Sequence, residues 1–111
     1  MFVVLLTYKR PLSEIDRSMR AHVAFLEAGY RAGVFLASGR QIPRTGGVIL
    51  AVAPDRGALE TVMQRDPFIR EGLASFDIVE FRTSLHHPAL SRFADPKTHA
   101  VRMDDTGQQR G

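Results

Sequence analysis

Val48-Ile49-Leu50-Ala51-Val52-Ala53 is apolar at every position, and Pro54-Asp55 closes it. A short apolar run ended by proline reads as a strand, and a strand without a polar face belongs in the interior of a sheet. Beyond it the period turns helical. Asp55 is placed as an N-cap, and Leu59, Val62 and Met63 share one helix face. Phe2-Val3-Val4-Leu5-Leu6-Thr7-Tyr8 is a second run of the same kind. Pro11 breaks it, and Ile15, Met19, Val23 and Leu26 then mark the inward face of another helix. Two such strands, each leading into an amphipathic helix, form the centre of the fold.

The remaining elements follow from local signals. Ser13-Glu14-Ile15-Asp16 resembles a capping box, so the first helix is expected from Ser13 to about Ala32, with Gly33 as its C-terminal cap. Val34–Ile42 reads as a strand, Pro43-Arg44-Thr45-Gly46-Gly47 as a turn, and Val48–Ala53 as the third strand. The second helix is expected from Asp55 to about Asp66-Pro67, then a short turn over Phe68–Gly72 and a fourth strand over Leu73–Thr83. The order β-α-β-β-α-β predicts an α+β fold of the ferredoxin-like type, two helices over one face of an antiparallel sheet. The helix-free face is then a large apolar patch, and a second copy packing sheet to sheet as a two-fold dimer is its economical cover. Residues 1–83 form the expected domain. From Ser84 the composition shifts, and 84–111 reads as an extended or disordered tail.

Length and composition set further bounds. At 111 residues and 44% apolar content, one domain with a real core is expected. The absence of cysteine excludes disulfides, thiolate nucleophiles, zinc ribbons and iron–sulfur clusters, and fits a cytoplasmic location. Met1–Tyr8 is too short to span a membrane, and Lys9-Arg10 directly after it are the wrong flank for a signal peptide. The net charge of +3 comes from arginines interleaved with acids, a mixed solvated surface and not a nucleic-acid face. RNA-recognition domains share this strand order, but they stack bases on central-strand aromatics, and Val48-Ile49-Leu50-Ala51-Val52 has none.

Two polar residues interrupt the apolar stripes. His22 falls between Met19 and Leu26 on the first helix, and Asp66 follows Met63 on the second. Burying an imidazole and a carboxylate costs free energy unless they find partners, and each is the obvious partner of the other. If the two helices run roughly parallel, His22 and Asp66 differ in height by only about 3 Å and can meet. A carboxylate that accepts from one ring nitrogen fixes the tautomer, leaves the other nitrogen as a base and stabilises the imidazolium formed on proton uptake. The bland reading stands beside this one: a satisfied core histidine, and an Asp-Pro pair that starts a turn. Ser38 is the only serine near the expected cavity, and Ala37-Ser38-Gly39 lacks a strained nucleophile elbow, so proton transfer suits the site better than hydrolysis. Tyr8 and Phe68 are candidate pocket walls. His86-His87, with Asp95 and His99, lack metal-ligand spacing, so no metal is expected. Gly46-Gly47 opens no helix and is no phosphate loop.

His22-Val23-Ala24-Phe25-Leu26, Gly33-Val34-Phe35-Leu36-Ala37-Ser38-Gly39, Gly47-Val48-Ile49-Leu50, Asp66-Pro67-Phe68 and Gly72 together resemble the YciI-like (YCII-related) proteins over residues 1 to about 83. The resemblance implies a dimeric α+β barrel and a His–Asp catalytic pair, here His22 and Asp66. It also implies a small protein without a cofactor; some such proteins resemble lyases or dehydrohalogenases acting on substituted aromatics. The family often has Gly-Pro where this chain has Gly39-Arg40. The expected function is therefore proton transfer on a small cyclic or aromatic substrate, as a lyase, isomerase or dehydrohalogenase. Tyr8, Ser38, Gly39 and Phe68 are its expected substrate-contacting residues. The alternative is a non-catalytic ligand-binding domain in which His22 and Asp66 form a buried structural pair.

Overall fold

The computed structural model describes residues 1–103 and 109–110. Its elements are β1 (Phe2–Tyr8), α1 (Leu12–Arg17), α2 (Met19–Arg31), β2 (Phe35–Arg40), β3 (Gly46–Ala51), α3 (Arg56–Met63), α4 (Pro67–Arg70) and β4 (Ala74–Glu80). The four strands make one antiparallel sheet in the order β2-β3-β1-β4. This is the ferredoxin-like α+β fold expected from the sequence.

In β1 the alternate residues Phe2, Val4 and Leu6 are buried, and Val4 stands opposite Ile49 on one side and Ile78 on the other. These side chains pack with Leu59 and Met63 of α3 and with Phe25 and Leu26 of α2. Each such side chain contributes about 1.5–3 kcal/mol when fully buried. Val3, Leu5, Val48, Leu50 and Val79 point the other way, and Leu5 and Val79 are exposed. Within residues 2–80 that face carries no helix. Gly29 lets α2 lie close on β2, since a Cβ there would come within 2.1 Å of the Phe35 ring.

The first helix is not continuous from Ser13 to Ala32. It starts at Leu12 after Pro11, and it breaks at Ser18, where φ is −102° and ψ 6°. The two halves serve separate clusters. Ile15 packs with Phe68, Leu73 and Ala74, whereas Phe25 and Leu26 pack over the central sheet. A single 3.6-residue stripe does not distinguish these two tasks. Gly33 follows the C-cap residue Ala32 with φ +75°, a conformation in which glycine pays no steric penalty.

The second helix ends at Met63, not near Asp66. Asp66 precedes a proline, whose ring disfavours helical backbone at the residue before it. Its φ of −63° and ψ of 124° are extended, and it caps α4, which replaces the expected turn. Asp55 does cap α3, its Oδ1 accepting from the Ala58 N–H at 2.8 Å. Gly46 and Gly47, expected in the turn, are the first residues of β3, and a Cβ on Gly46 would meet the Leu6 carbonyl oxygen at 1.7 Å.

The helices do not run parallel. β1 and β3 are antiparallel neighbours, with Phe2 opposite Ala51. The helices α1 and α2 carry the chain from the Tyr8 end of β1 back to Phe35, which stands beside Ala51. After Ala51, α3 travels the opposite way to Ala74, the partner of Tyr8. His22 and Asp66 therefore do not meet at matching heights on parallel helices, contrary to what the sequence suggests. They meet because the break at Ser18 puts His22 in the first turn of α2 and Asp66 lies beyond the end of α3.

Met1 and the described residues from Phe81 onward form a separate compact unit. In it β5 (Leu85–His86) pairs in parallel with β6 (His99–Ala100), and a 3-10 turn spans Pro88–Leu90. This part of the expected tail thus carries short elements of its own, while the expectation for 104–108 and 111 lies outside the described residues. The Thr83 N–H and hydroxyl donate to Asp95 Oδ2 at 2.6 and 3.1 Å, and the Asp95 N–H donates back to the Thr83 hydroxyl at 2.9 Å. The Thr83 N–H, more than any other neighbour, holds the Asp95 carboxyl below the usual carboxylate range.

A candidate active site at the start of the second helix

His22 sits in the first turn of α2, its backbone N–H donating to the Ser18 carbonyl at 3.0 Å. Its Nδ1 lies 2.8 Å from Asp66 Oδ1. Asp66 is fully buried and His22 is 8% exposed. The same Oδ1 accepts the Phe68 N–H at 3.0 Å, which is the cap of α4. A carboxylate only accepts, so the proton of a neutral imidazole resides on Nδ1 and the lone pair on Nε2. Among the described residues Asp66 Oδ2 has no hydrogen-bond partner.

Phe68 lies flat on His22, with ring centroids 4.0 Å apart and planes 5° from parallel. Tyr8 meets Phe68 edge-on at 6.1 Å. The imidazole is therefore held by a carboxylate at one nitrogen and by an aromatic face, which fixes both its tautomer and its plane.

Beside it is a cavity of about 160 Å³. Met19, His22, Val23 and Leu26 of α2 and Phe68 of α4 line one side, and Tyr8 of β1 with Ser38, Gly39, Arg40, Gly47 and Ile49 of the sheet line the other. A cavity of roughly 150 Å³ accommodates a benzene ring, so this one suits a single small ring. Since Nδ1 is bound to Asp66 and His22 lines the cavity, Nε2 is the ring nitrogen left without a hydrogen-bond partner among the described residues. Tyr8, Ser38, Gly39 and Phe68 all line the cavity with His22, and Asp66 stands behind the imidazole.

The Ser38 hydroxyl hydrogen-bonds the Tyr30 hydroxyl at 2.6 Å and makes no bond to His22. Among the described residues no hydroxyl is hydrogen-bonded to the His22 ring, so the arrangement offers a base and its orienting acid without an activated nucleophile. Gly47 also lines the cavity, although in the sequence Gly46-Gly47 reads as a turn. The row that reveals it is Leu6, Gly47 and Arg40, which stand opposite one another across three strands. Near the mouth Arg44 pairs with Asp16. The hydrogen bond from Arg44 holds the Asp16 carboxyl below the usual carboxylate range and raises the guanidinium in turn.

Among the described residues no three His, Cys, Asp or Glu side chains gather as metal ligands, and no helix is long and apolar enough to cross a membrane.

The YCII-related domain matches residues 1–82 of the chain. No curated protein matches it. The chain is similar in structure to 5-chloro-2-hydroxyhydroquinone dehydrochlorinase (TftG) from Burkholderia phenoliruptrix AC1100, solved in complex with 2,5-dihydroxybenzoquinone. The identity is 19%, the likeness covers 80% of this chain and 98% of that one, and the TM-score is 0.63. The two proteins share their fold.

Proposed function

Because the chain belongs to the YCII-related domain family, we propose that it is a small-molecule enzyme that moves a proton on a single-ring substrate, with His22 as general acid/base and Asp66 as its orienting partner. One observation carries this reading: a buried carboxylate 2.8 Å from Nδ1 of a histidine that lines a ring-sized cavity, which leaves Nε2 as the free base. Nε2 takes the proton from a substrate C–H or O–H, and the electron pair of that bond stays on the substrate. In an elimination that pair forms a new double bond as a leaving group departs with its own bonding pair. In an isomerisation the imidazolium returns the proton to a different carbon. Asp66 stabilises the imidazolium in between. That the structural neighbour is a dehydrochlorinase solved with a ring ligand supports the elimination branch.

The helix-free face, with Val3, Leu5, Val48, Leu50 and Val79, pairs in this reading with a second copy to give a dimer. The catalytic domain is residues 1–83, and the absence of cysteine goes with a cytoplasmic location.

The test is proton exchange. The full chain is incubated in D2O with a panel of hydroxylated and chlorinated single-ring compounds, and deuterium incorporation and halide release are followed by NMR and ion analysis. His22→Ala is expected to abolish both while remaining folded. Equal rates in the wild type and His22→Ala sink the assignment.

A second reading has its own observation. Asp66 Oδ1 also caps α4, so the pair has a structural task whatever its chemistry. In a non-catalytic ligand-binding domain, His22→Leu would be tolerated in thermal unfolding, and no panel compound that binds would be turned over.

A further inference from the structure

Arg40 lies on the edge strand β2, opposite Gly47 of β3, which is opposite Leu6 of β1. Directly opposed residues in an antiparallel sheet point to the same face. Leu6 is buried beneath the helices, so Arg40 is directed to the helix side of the sheet. It lines the same cavity as His22. Between them Gly47 has no side chain, and a Cβ there would stand 3.5 Å from Leu6 Cδ1 and 3.3 Å from the Gly39 carbonyl oxygen. The glycine leaves the cavity floor open from the buried leucine to the guanidinium.

Two arginines stand near this mouth, and their charges are handled differently. Arg44 is neutralised by its pairing with Asp16. Arg40 forms no ion pair among the described residues. The acids that face the region are Asp16, committed to Arg44, and Asp66, committed to the His22 imidazole and the α4 cap. The rim therefore carries a planar cation that has no ion pair among the described residues, though it acts at a distance on Asp16, on a cavity whose other walls are largely apolar or aromatic apart from His22, Ser38 and the Tyr8 hydroxyl. Arg40 is exposed, and its planar guanidinium can pair with two oxygens of a carboxylate, or with a phenolate, that enters the cavity.

We propose that Arg40 is the specificity-determining residue of this cavity and that the substrate is a small ring bearing an anionic oxygen, bound with that oxygen on Arg40 and its reacting proton toward His22 Nε2. This names a substrate class for the proton-transfer reading above and rests on it.

Binding tests this without turnover. The full chain is titrated by NMR with benzoate, with 4-nitrophenolate and with the neutral benzamide, in the wild type, Arg40→Gln and Arg40→Lys. At least one anion is expected to bind the wild type, with shifts at residues lining the cavity. Arg40→Gln is expected to lose about tenfold or more of that affinity, the scale of one charge-assisted hydrogen bond. Arg40→Lys is expected to retain part of it. Added salt is expected to weaken the wild type and spare Arg40→Gln, and benzamide to bind all three weakly and equally. Anion binding unchanged by Arg40→Gln, or no anion bound by the wild type at millimolar concentration, overturns the proposal. His22→Ala keeps the Arg40-dependent binding, so a failure of the base assignment and a failure of the anion assignment give different results.

Discussion

The ring of Phe68 lies parallel to that of His22, 4.0 Å from centroid to centroid. The phenyl group is also almost fully buried among Ile15, Leu73 and Ala74. It thus joins the small cluster beneath α1 to the imidazole. Phe68→Ala should destabilise the chain by about 3–5 kcal/mol, the usual range for a buried phenylalanine. Phe68→Leu should cost less and leave the imidazole plane unsupported, lowering turnover more than ligand affinity. Urea unfolding and steady-state kinetics on the two variants separate these effects.

Asp66→Asn and Asp66→Ala should differ. Asparagine retains an oxygen for the Phe68 N–H but loses the charge that stabilises an imidazolium, so turnover falls by roughly a hundredfold with a small loss of stability. Alanine loses the cap, about 0.5–2 kcal/mol, and leaves the buried Nδ1–H unpaired, about 1–3 kcal/mol. Chemical denaturation that ranks the asparagine variant below the alanine variant would contradict this.

The adjacent glycines of β3 should respond in opposite ways. Gly46→Ala puts a methyl group 1.7 Å from the Leu6 carbonyl oxygen and should cost more than about 2 kcal/mol or prevent folding. Gly47→Ala needs only a few tenths of an ångström of adjustment, so the thermal midpoint should move little while ligand affinity falls, because the new methyl group occupies the cavity floor.

The Asp95 carboxyl titrates below its ordinary value of 3.8, chiefly through the Thr83 N–H. A carboxyl with a depressed folded pKa stabilises fully above the unfolded value and loses that contribution as pH falls through the folded one. Amide exchange at Thr83 should therefore be insensitive to Asp95 above about pH 4 and accelerate, after correction for intrinsic exchange, at lower pH. Thr83→Val removes the hydroxyl contact and retains the N–H, so carbon NMR should show the Asp95 value rising only part of the way.

Sedimentation should find a dimer, and Leu5→Lys combined with Val79→Glu should yield a folded monomer. A monomeric wild type at high micromolar concentration would remove the sheet-to-sheet pairing.

Much of the fold was legible because its central strands are uninterrupted apolar runs stopped by prolines, and Asp55 marks a helix start by its side chain alone. The pairing of His22 with Asp66 was legible because both break an apolar stripe, but how the chain brings them together was not. The antiparallel pairing of β1 with β3 reverses the two helices, and no helix-face pattern reveals that pairing. The break at Ser18 follows from two clusters far apart in the chain, and no local signal announces it. The end of α3 was readable in principle, since Pro67 bars Asp66 from helical backbone. Arg40 as a cavity residue emerges only once its opposition to Gly47 and Leu6 is known.

One oxygen of Asp66 accepts from both His22 and the first turn of α4. The imidazole's orientation and the start of that helix are thus mechanically linked. Any motion that unwinds Pro67–Arg70 withdraws the acceptor from Nδ1 and the stacked Phe68 ring from the imidazole together, so one loosened turn disarms the base and opens the cavity wall at the same time.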